Sequence, residues 1–141
     1  MSGINLYHVL KGMPFELVIH NVGNVDSVGN VIFLAGTKRY ASANATFMFH
    51  GVGFDMPRNA RLEEKDCRER LASILADQTR MGNIIAQCTK LSVAEIADLF
   101  KQAQTKDTAF ALEKGIIHEI KEFQIMPGCP IISLVFQRQS T

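Results

Sequence analysis

Cysteine is scarce in this 141-residue sequence, and its histidines are scattered. The three cysteines, Cys67, Cys88 and Cys129, form no CxxC pair, so neither a disulfide framework nor a zinc site is predicted. Two metal ligands on one helical face would stand four residues apart, and no two of the four histidines have that spacing. We therefore expect no metal site.

The sequence also lacks an excess of charge and any long apolar run. Lys and Arg number 15 against 14 Asp and Glu, so basic residues do not dominate and nucleic acid is not expected as a partner. The apolar runs over residues 31–35 and 131–136 are far shorter than the ~20 residues of a membrane-spanning helix. The first residues do not have the charged-then-apolar pattern of a signal peptide. We expect a cytoplasmic protein with no membrane partner.

What is present is a globular composition, 47% hydrophobic and 21% charged. A chain of this length can bury roughly 68% of its unfolded surface around one core, so one domain suffices. We place this domain at residues 1–120. We treat residues 121–141 as a C-terminal tail that contains a strand.

Strand and helix patterns alternate along the chain, which predicts an α/β fold of stacked units. In Ser92-Val93-Ala94-Glu95 the hydroxyl and the carboxylate can each accept from a free backbone N–H, which marks a helix start. The predicted elements are a helix over 4–10, a strand over 15–19, a helix over 27–35 closed by Gly36 as a left-handed cap, extended pieces over 39–49, a long amphipathic helix over 59–88, a helix from Ser92 to about 103, a short helix ending at Gly115, and strands over 116–120 and 131–136.

Ser27 and His50 are the candidate catalytic pair. Ser27 lies at a predicted junction of strand and helix, and His50 lies at the end of an extended segment, directly before Gly51. A serine hydroxyl is a weak nucleophile near neutral pH, and a histidine within hydrogen-bond reach can remove its proton. At the first turn of a helix the N–H of Val28 would be free to stabilise a developing oxyanion. The alternative is that Ser27 only caps a helix and His50 only ends a strand.

Several short segments along the chain, including those around this pair, occur in an order that is typical of one known family. They include Gly-Ile-Asn-Leu-Tyr at 3–7, Ser27-Val28-Gly29 within 21–29, Ala-Gly and Lys-Arg-Tyr within 35–40, Phe-Met-Phe-His at 47–50 and Leu-Glu-Lys-Gly-Ile-Ile at 112–117. Together they resemble the proteolytic subunit of the ATP-dependent Clp protease, a member of the Clp/crotonase superfamily. The resemblance covers residues 3–120, and it implies a right-handed spiral of strand-turn-helix units with a long protruding helix.

The resemblance also implies an activity. Ser27 would be the nucleophile, His50 the general base and acid, and Val28 an oxyanion donor of a Clp-type serine endopeptidase. The substrate would be an unfolded polypeptide, held in extended form inside an oligomeric chamber. A homo-oligomer is expected, with a ring-shaped unfoldase or a paralogous Clp subunit as partner and with no metal or organic cofactor.

The sequence departs from the family pattern at the triad acid. Counting from His50, from Ser92 and back from Gly115 places Leu99 at that position, with Asp98 one residue before it. One residue on a helix is a rotation of ~100°, so Asp98 takes the role only where the helix is locally altered. Asp26 and Asp55 are weaker alternatives for the triad acid.

A second departure lies at the start of the sequence. The family's second oxyanion donor, a glycine of a Gly-Gly turn, lies upstream of the first matching segment, and Met1 follows just after that point. We therefore expect an N-terminally shortened chain. The loss of one such donor typically costs ~10²–10³ in rate.

Two alternatives to an active peptidase stay open. One is a catalytically inactive Clp-like subunit with a structural role in an assembly. The other is a crotonase-like acyl-CoA enzyme, which would give Ser27 no special role. The long helix likewise has two interpretations, because its apolar stripe suits either an oligomerisation arm or a helix hairpin within the chain.

Overall fold

The computed structural model describes residues 3–133. In chain order the helices and strands are α1 (Gly3–Lys11), β1 (Val18–Asn21), β2 (Asn24–Asp26), α2 (Gly29–Phe33), β3 (Lys38–Ala41), β4 (Thr46–Met48), α3 (Glu64–Cys88), α4 (Val93–Gln102), β5 (Thr105–Lys106), α5 (Thr108–Glu113) and β6 (Glu119–Ile120). No helix within the described residues is both long and apolar enough to cross a membrane.

The strands form two three-stranded sheets. The first sheet has the order β1-β3-β6 with parallel pairs, and the second has the order β2-β4-β5 with β2 parallel and β5 antiparallel to β4. The buried side chain of Asn21 stands where the chain leaves β1 for β2, and its Nδ2 donates to the carbonyl of Thr46 at 2.9 Å. This hydrogen bond ties the end of the first sheet to the start of β4 in the second.

The core forms where α2 packs against the second sheet and the later helices. Phe47, in the middle of β4, is fully buried, and its ring meets that of Phe33 edge-on with centroids 5.2 Å apart. The alternation along β4 puts Phe47 inward between two half-buried neighbours. Further large buried side chains of the core come from α1, from α2 and the residue after it, from α3, from α4 and from the segment after α5, and they include Ile4, Tyr7, Val31, Leu34, Ile84, Ile85, Ile96, Leu99, Ile116 and Ile117.

The long helix α3 is buried only toward its C-terminal end. Met81, Ile84 and Ile85 lie in the core, whereas Leu71 and Leu75 are exposed. The following helix begins as predicted, since Ser92 Oγ accepts from the N–H of Glu95 and the Glu95 carboxylate accepts from the N–H of Ser92. The first half of α3 therefore presents apolar side chains to solvent within the described residues.

Arg39 joins the first sheet to the ends of α3 and α5. Its buried guanidinium donates to the carbonyls of Gly36, Cys88, Gly115 and Ile116 at 2.7 to 3.3 Å, and its backbone N–H donates to Nδ1 of His118 at 3.1 Å. Burial lowers the pKa of Arg39. We call Arg39, these four carbonyls and His118 the Arg39 cluster.

The helix predicted over 27–35 is shorter than expected. Ser27 has a φ of 56°, in the left-handed region, so α2 begins only at Gly29. Gly36 is not a left-handed cap either, because its φ is not positive. A Cβ there would lie 3.1 Å from side-chain atoms of both Arg39 and Ile19, so this glycine permits close packing.

Other element boundaries also differ from the predictions. The first strand runs over 18–21 and not 15–19, and α3 begins at Glu64 because a turn at Pro57 and the left-handed Asn59 precede it. Residues 116 and 117 form no strand, since both of their N–H groups donate back to the carbonyl of Ala111. The strand predicted over 131–136 lies partly outside the described residues, and its described part, 131–133, is irregular.

Candidate active site

Ser27 occupies a strained turn between β2 and α2. Its left-handed backbone is uncommon for any residue with a side chain and costs about 1–2 kcal/mol. Hydrogen bonds hold it in place, because its N–H donates to the carbonyl of Met48 at 2.9 Å and the amide of Asn30 donates to the carbonyls of Ser27 and Met48 at 3.1 and 2.7 Å. Strain of this kind at a strand-helix turn is typical of an exposed nucleophile.

His50 follows β4 and is half-buried. Its ring Nδ1 lies 2.6 Å from the carbonyl oxygen of Gly51. A carbonyl oxygen can only accept a hydrogen bond, so the contact requires the hydrogen on Nδ1. The other ring nitrogen, Nε2, is then free to accept a proton.

Ser27 and His50 line the same cavity, although no hydrogen bond joins their side chains within residues 3–133. This cavity has a volume of about 270 Å³. The remaining lining residues are Gly3, Ile4, Val28, Gly51, Val52, Gly53, Asp77 and Met81. The predicted nucleophile, the predicted base and the predicted oxyanion donor Val28 thus line the same cavity.

The backbone N–H of Val28 donates to no acceptor within residues 3–133. Its side chain packs against the first turn of α1, where a Cβ on Gly3 would lie 2.1 Å from Val28 Cγ2. Only a glycine at position 3 allows α1 to approach this closely. The packing therefore places the start of α1 at the wall of the cavity, beside an unused backbone donor.

The predicted acids do not join this cavity. Asp98 is exposed on α4 and lines a separate cavity with Glu95, Leu99 and Lys106, while Leu99 itself is buried in the core. Asp26 is also exposed, and its carboxylate accepts from the side chain of Asn24 at 2.7 Å. Asp55, the other alternative, lies exposed in the loop before α3.

The carboxylate that does line the cavity is Asp77, which the sequence analysis did not single out. It lies on α3, one helical turn before Met81, which lines the same cavity. Its carboxylate accepts from the guanidinium of Arg80 at 3.1 Å. The i, i+4 spacing of Asp77 and Met81 on one helix face is the signal available in the sequence, but the sequence analysis considers α3 only as an oligomerisation arm or as part of a helix hairpin.

A family model for Clp protease matches residues 1–124. The chain belongs to the Clp protease family. It is 27% identical over 129 residues to the ATP-dependent Clp protease proteolytic subunit 2 of Chlamydia trachomatis, covering 86% of this chain and 61% of that protein. It is 24% identical over 127 residues to subunit 1 of Leifsonia xyli, covering 89% of this chain and 62% of that protein. The chain thus spans about three fifths of the length of these relatives.

A solved structure of a mutant ClpP1 from Listeria monocytogenes superposes with a TM-score of 0.73 at 22% identity, covering 86% of this chain and 66% of that one. Two predictions are confirmed: the resemblance of the sequence to Clp proteolytic subunits, and a Clp/crotonase-like α/β fold.

Proposed function

We propose that this Clp family chain is a serine peptidase subunit, with Ser27 as nucleophile and His50 as general base and acid. The observation that carries the proposal is the shared cavity, in which His50 keeps Nε2 available as an acceptor. The left-handed turn at Ser27 and the free N–H of Val28 add two features that acyl transfer uses.

The reaction proceeds through an acyl-enzyme. Ser27 Oγ attacks the carbonyl carbon of a peptide bond while its proton passes to His50 Nε2, and the N–H of Val28 stabilises the oxyanion. His50 then returns the proton to the leaving amine as the C–N bond breaks. A water molecule, deprotonated by the same nitrogen, hydrolyses the acyl-enzyme and regenerates Ser27.

The proposal extends to substrate and assembly. The substrate is an unfolded polypeptide bound in extended form, and the subunit acts in a homo-oligomeric chamber in the cytoplasm. The exposed Leu71 and Leu75 on α3 support self-association, because apolar residues on a helix of this length are typical of subunit contacts. A ring-shaped unfoldase or a paralogous Clp subunit would be the partner.

Labelling with a fluorophosphonate probe tests the proposed activity, and a second serine-histidine pair serves as the control. Ser42 Oγ lies 3.3 Å from His20 Nε2, but neither residue lines the Ser27 cavity. We expect one label per chain, located on Ser27 by peptide mass mapping, and lost in Ser27→Ala and in His50→Ala. Labelling should persist in Ser42→Ala and in His20→Ala.

A catalytically inactive Clp-like subunit is the second candidate. It is favoured by the position of Asp98, which lies in a separate cavity while Leu99 fills the core. Loss of the orienting acid in a serine triad costs on the order of 10⁴ in turnover. If Ser27 is not labelled even in the assembled oligomer, the structural role replaces the peptidase.

A further inference from the structure

We propose that the backbone carbonyl of Gly51 positions His50 in place of a triad carboxylate. The inference rests on the proposed function, since it assigns the group that orients the proposed base. Within residues 3–133 the only hydrogen bond of the His50 ring is the 2.6 Å contact between Nδ1 and this carbonyl. The site is then a Ser27–His50 dyad that the main chain orients.

The chemistry of a carbonyl oxygen suits this task. In a triad the acid holds the imidazole in the tautomer that carries hydrogen on Nδ1, so that Nε2 can take the serine proton. A carbonyl oxygen has no hydrogen to donate, so it selects the same tautomer. It differs from a carboxylate in having no net charge, so it does not form an ion pair with the imidazolium that appears during the reaction.

Gly51 is anchored beside His50 by a hydrogen bond to α4. Its N–H donates at 3.0 Å to the carbonyl of Phe100. On the other side, the flexible end of Gln78 on α3 lies close, since a Cβ added at Gly51 would be 2.5 Å from its Nε2. The hydrogen bond fixes the peptide between His50 and Gly51, which adjoins the peptide whose oxygen meets His50.

The nearby carboxylates are engaged elsewhere. Asp77 lines the same cavity, but its carboxylate accepts from Arg80. Asp98 lines a separate cavity, together with Leu99. This leaves the Gly51 carbonyl as the acceptor that faces Nδ1 among the described residues.

Nitrogen NMR of histidine-labelled protein tests the assignment directly. We expect neutral His50 to carry hydrogen on Nδ1 and to leave Nε2 unprotonated, with the signal assigned by its loss in His50→Gln. The tautomer should be the same in Asp77→Asn and in Asp98→Asn. Hydrogen on Nε2, or a tautomer that changes in either variant, would overturn the inference.

The labelling rate adds a kinetic test. If the carbonyl of Gly51 orients His50 and no acid does, Asp98→Asn should label Ser27 with the fluorophosphonate probe at close to the wild-type rate.

Failure of this inference is distinguishable from failure of the proposed function. If Ser27 is labelled but the labelling rate falls about 10-fold or more in Asp98→Asn, the peptidase stands and the carbonyl does not replace the acid. If Ser27 is never labelled, the peptidase fails, and the tautomer of His50 still decides what orients the ring.

Discussion

The Arg39 cluster and the turn at Ser27 are two polar regions of the same molecule, built in opposite ways. In the cluster a buried guanidinium donates to four carbonyls, including one at the end of α3. At the turn, Ser27 has a strained backbone, Val28 keeps an unused N–H, and Asn30 keeps a buried side-chain oxygen with no partner among the described residues. Satisfied polar groups stabilise a fold, whereas strain and unused donors concentrate where chemistry is done.

The largest effect that this comparison predicts is the loss of the Arg39 cluster. Arg39→Met removes the donors of four buried or half-buried carbonyls, and hydrogen bonds to a charged group contribute about 1.5–3 kcal/mol each. We expect the free energy of unfolding to fall by at least about 3 kcal/mol, measured by urea titration.

Lys38→Met is the matched control for this prediction. Lys38 precedes Arg39 on β3, but its side chain is half-exposed and its ammonium pairs with Glu16 at 3.0 Å. We expect little change in stability from its loss. Equal destabilisation by the two substitutions would show that the cluster has no special role.

Local patterns predicted the parts of this fold that depend on neighbours in sequence. The capping box at Ser92 and the junction at Ser27 were visible because both involve residues within one helical turn of each other. The partners of Arg39 could not be predicted in this way. Its acceptors at Gly115 and Ile116 lie more than 70 residues away in sequence, and no local pattern encodes such contacts.

The candidate site also contains features that the sequence predicts and features that depend on distant contacts. Ser27 and His50 could be chosen from the sequence because the segments around them resemble those of Clp proteolytic subunits. The positions of Asp77 and Gly51 follow from how α3 and α4 pack, so they required the structure. Counting residues indicated that Leu99 stands at the position of the acid, and the structure buries Leu99 in the core and leaves Asp98 exposed.

The strain at Ser27 gives a prediction of intermediate size. Ser27→Ala and Ser27→Gly both remove the hydroxyl, but only glycine adopts a φ of 56° without steric cost. We expect Ser27→Gly to be more stable than Ser27→Ala by about 1 kcal/mol in urea unfolding.

Ser42 provides a control in which the order should reverse. Its φ is not positive, so glycine there only adds conformational entropy to the unfolded chain. We expect Ser42→Ala to be at least as stable as Ser42→Gly. The same order of stability at both positions would mean that the turn at Ser27 is not strained.

The smallest expected effect is a pH dependence within the Arg39 cluster. Nδ1 of His118 accepts from the N–H of Arg39, and burial together with the positive charge of Arg39 lowers the pKa of His118 below 6.5. As the pH falls, His118 therefore binds a proton at a higher pH in the unfolded chain than in the folded chain. The stabilisation that neutral His118 gives the folded chain is complete above pH 6.5 and is lost as the pH falls through the pKa of His118 in the folded chain. In His118→Gln this titration is absent, so the stability difference between wild type and variant should shrink between about pH 7.5 and about pH 5.5. A difference that stays constant, or grows on acidification, would show that His118 accepts its hydrogen bond without coupling to pH.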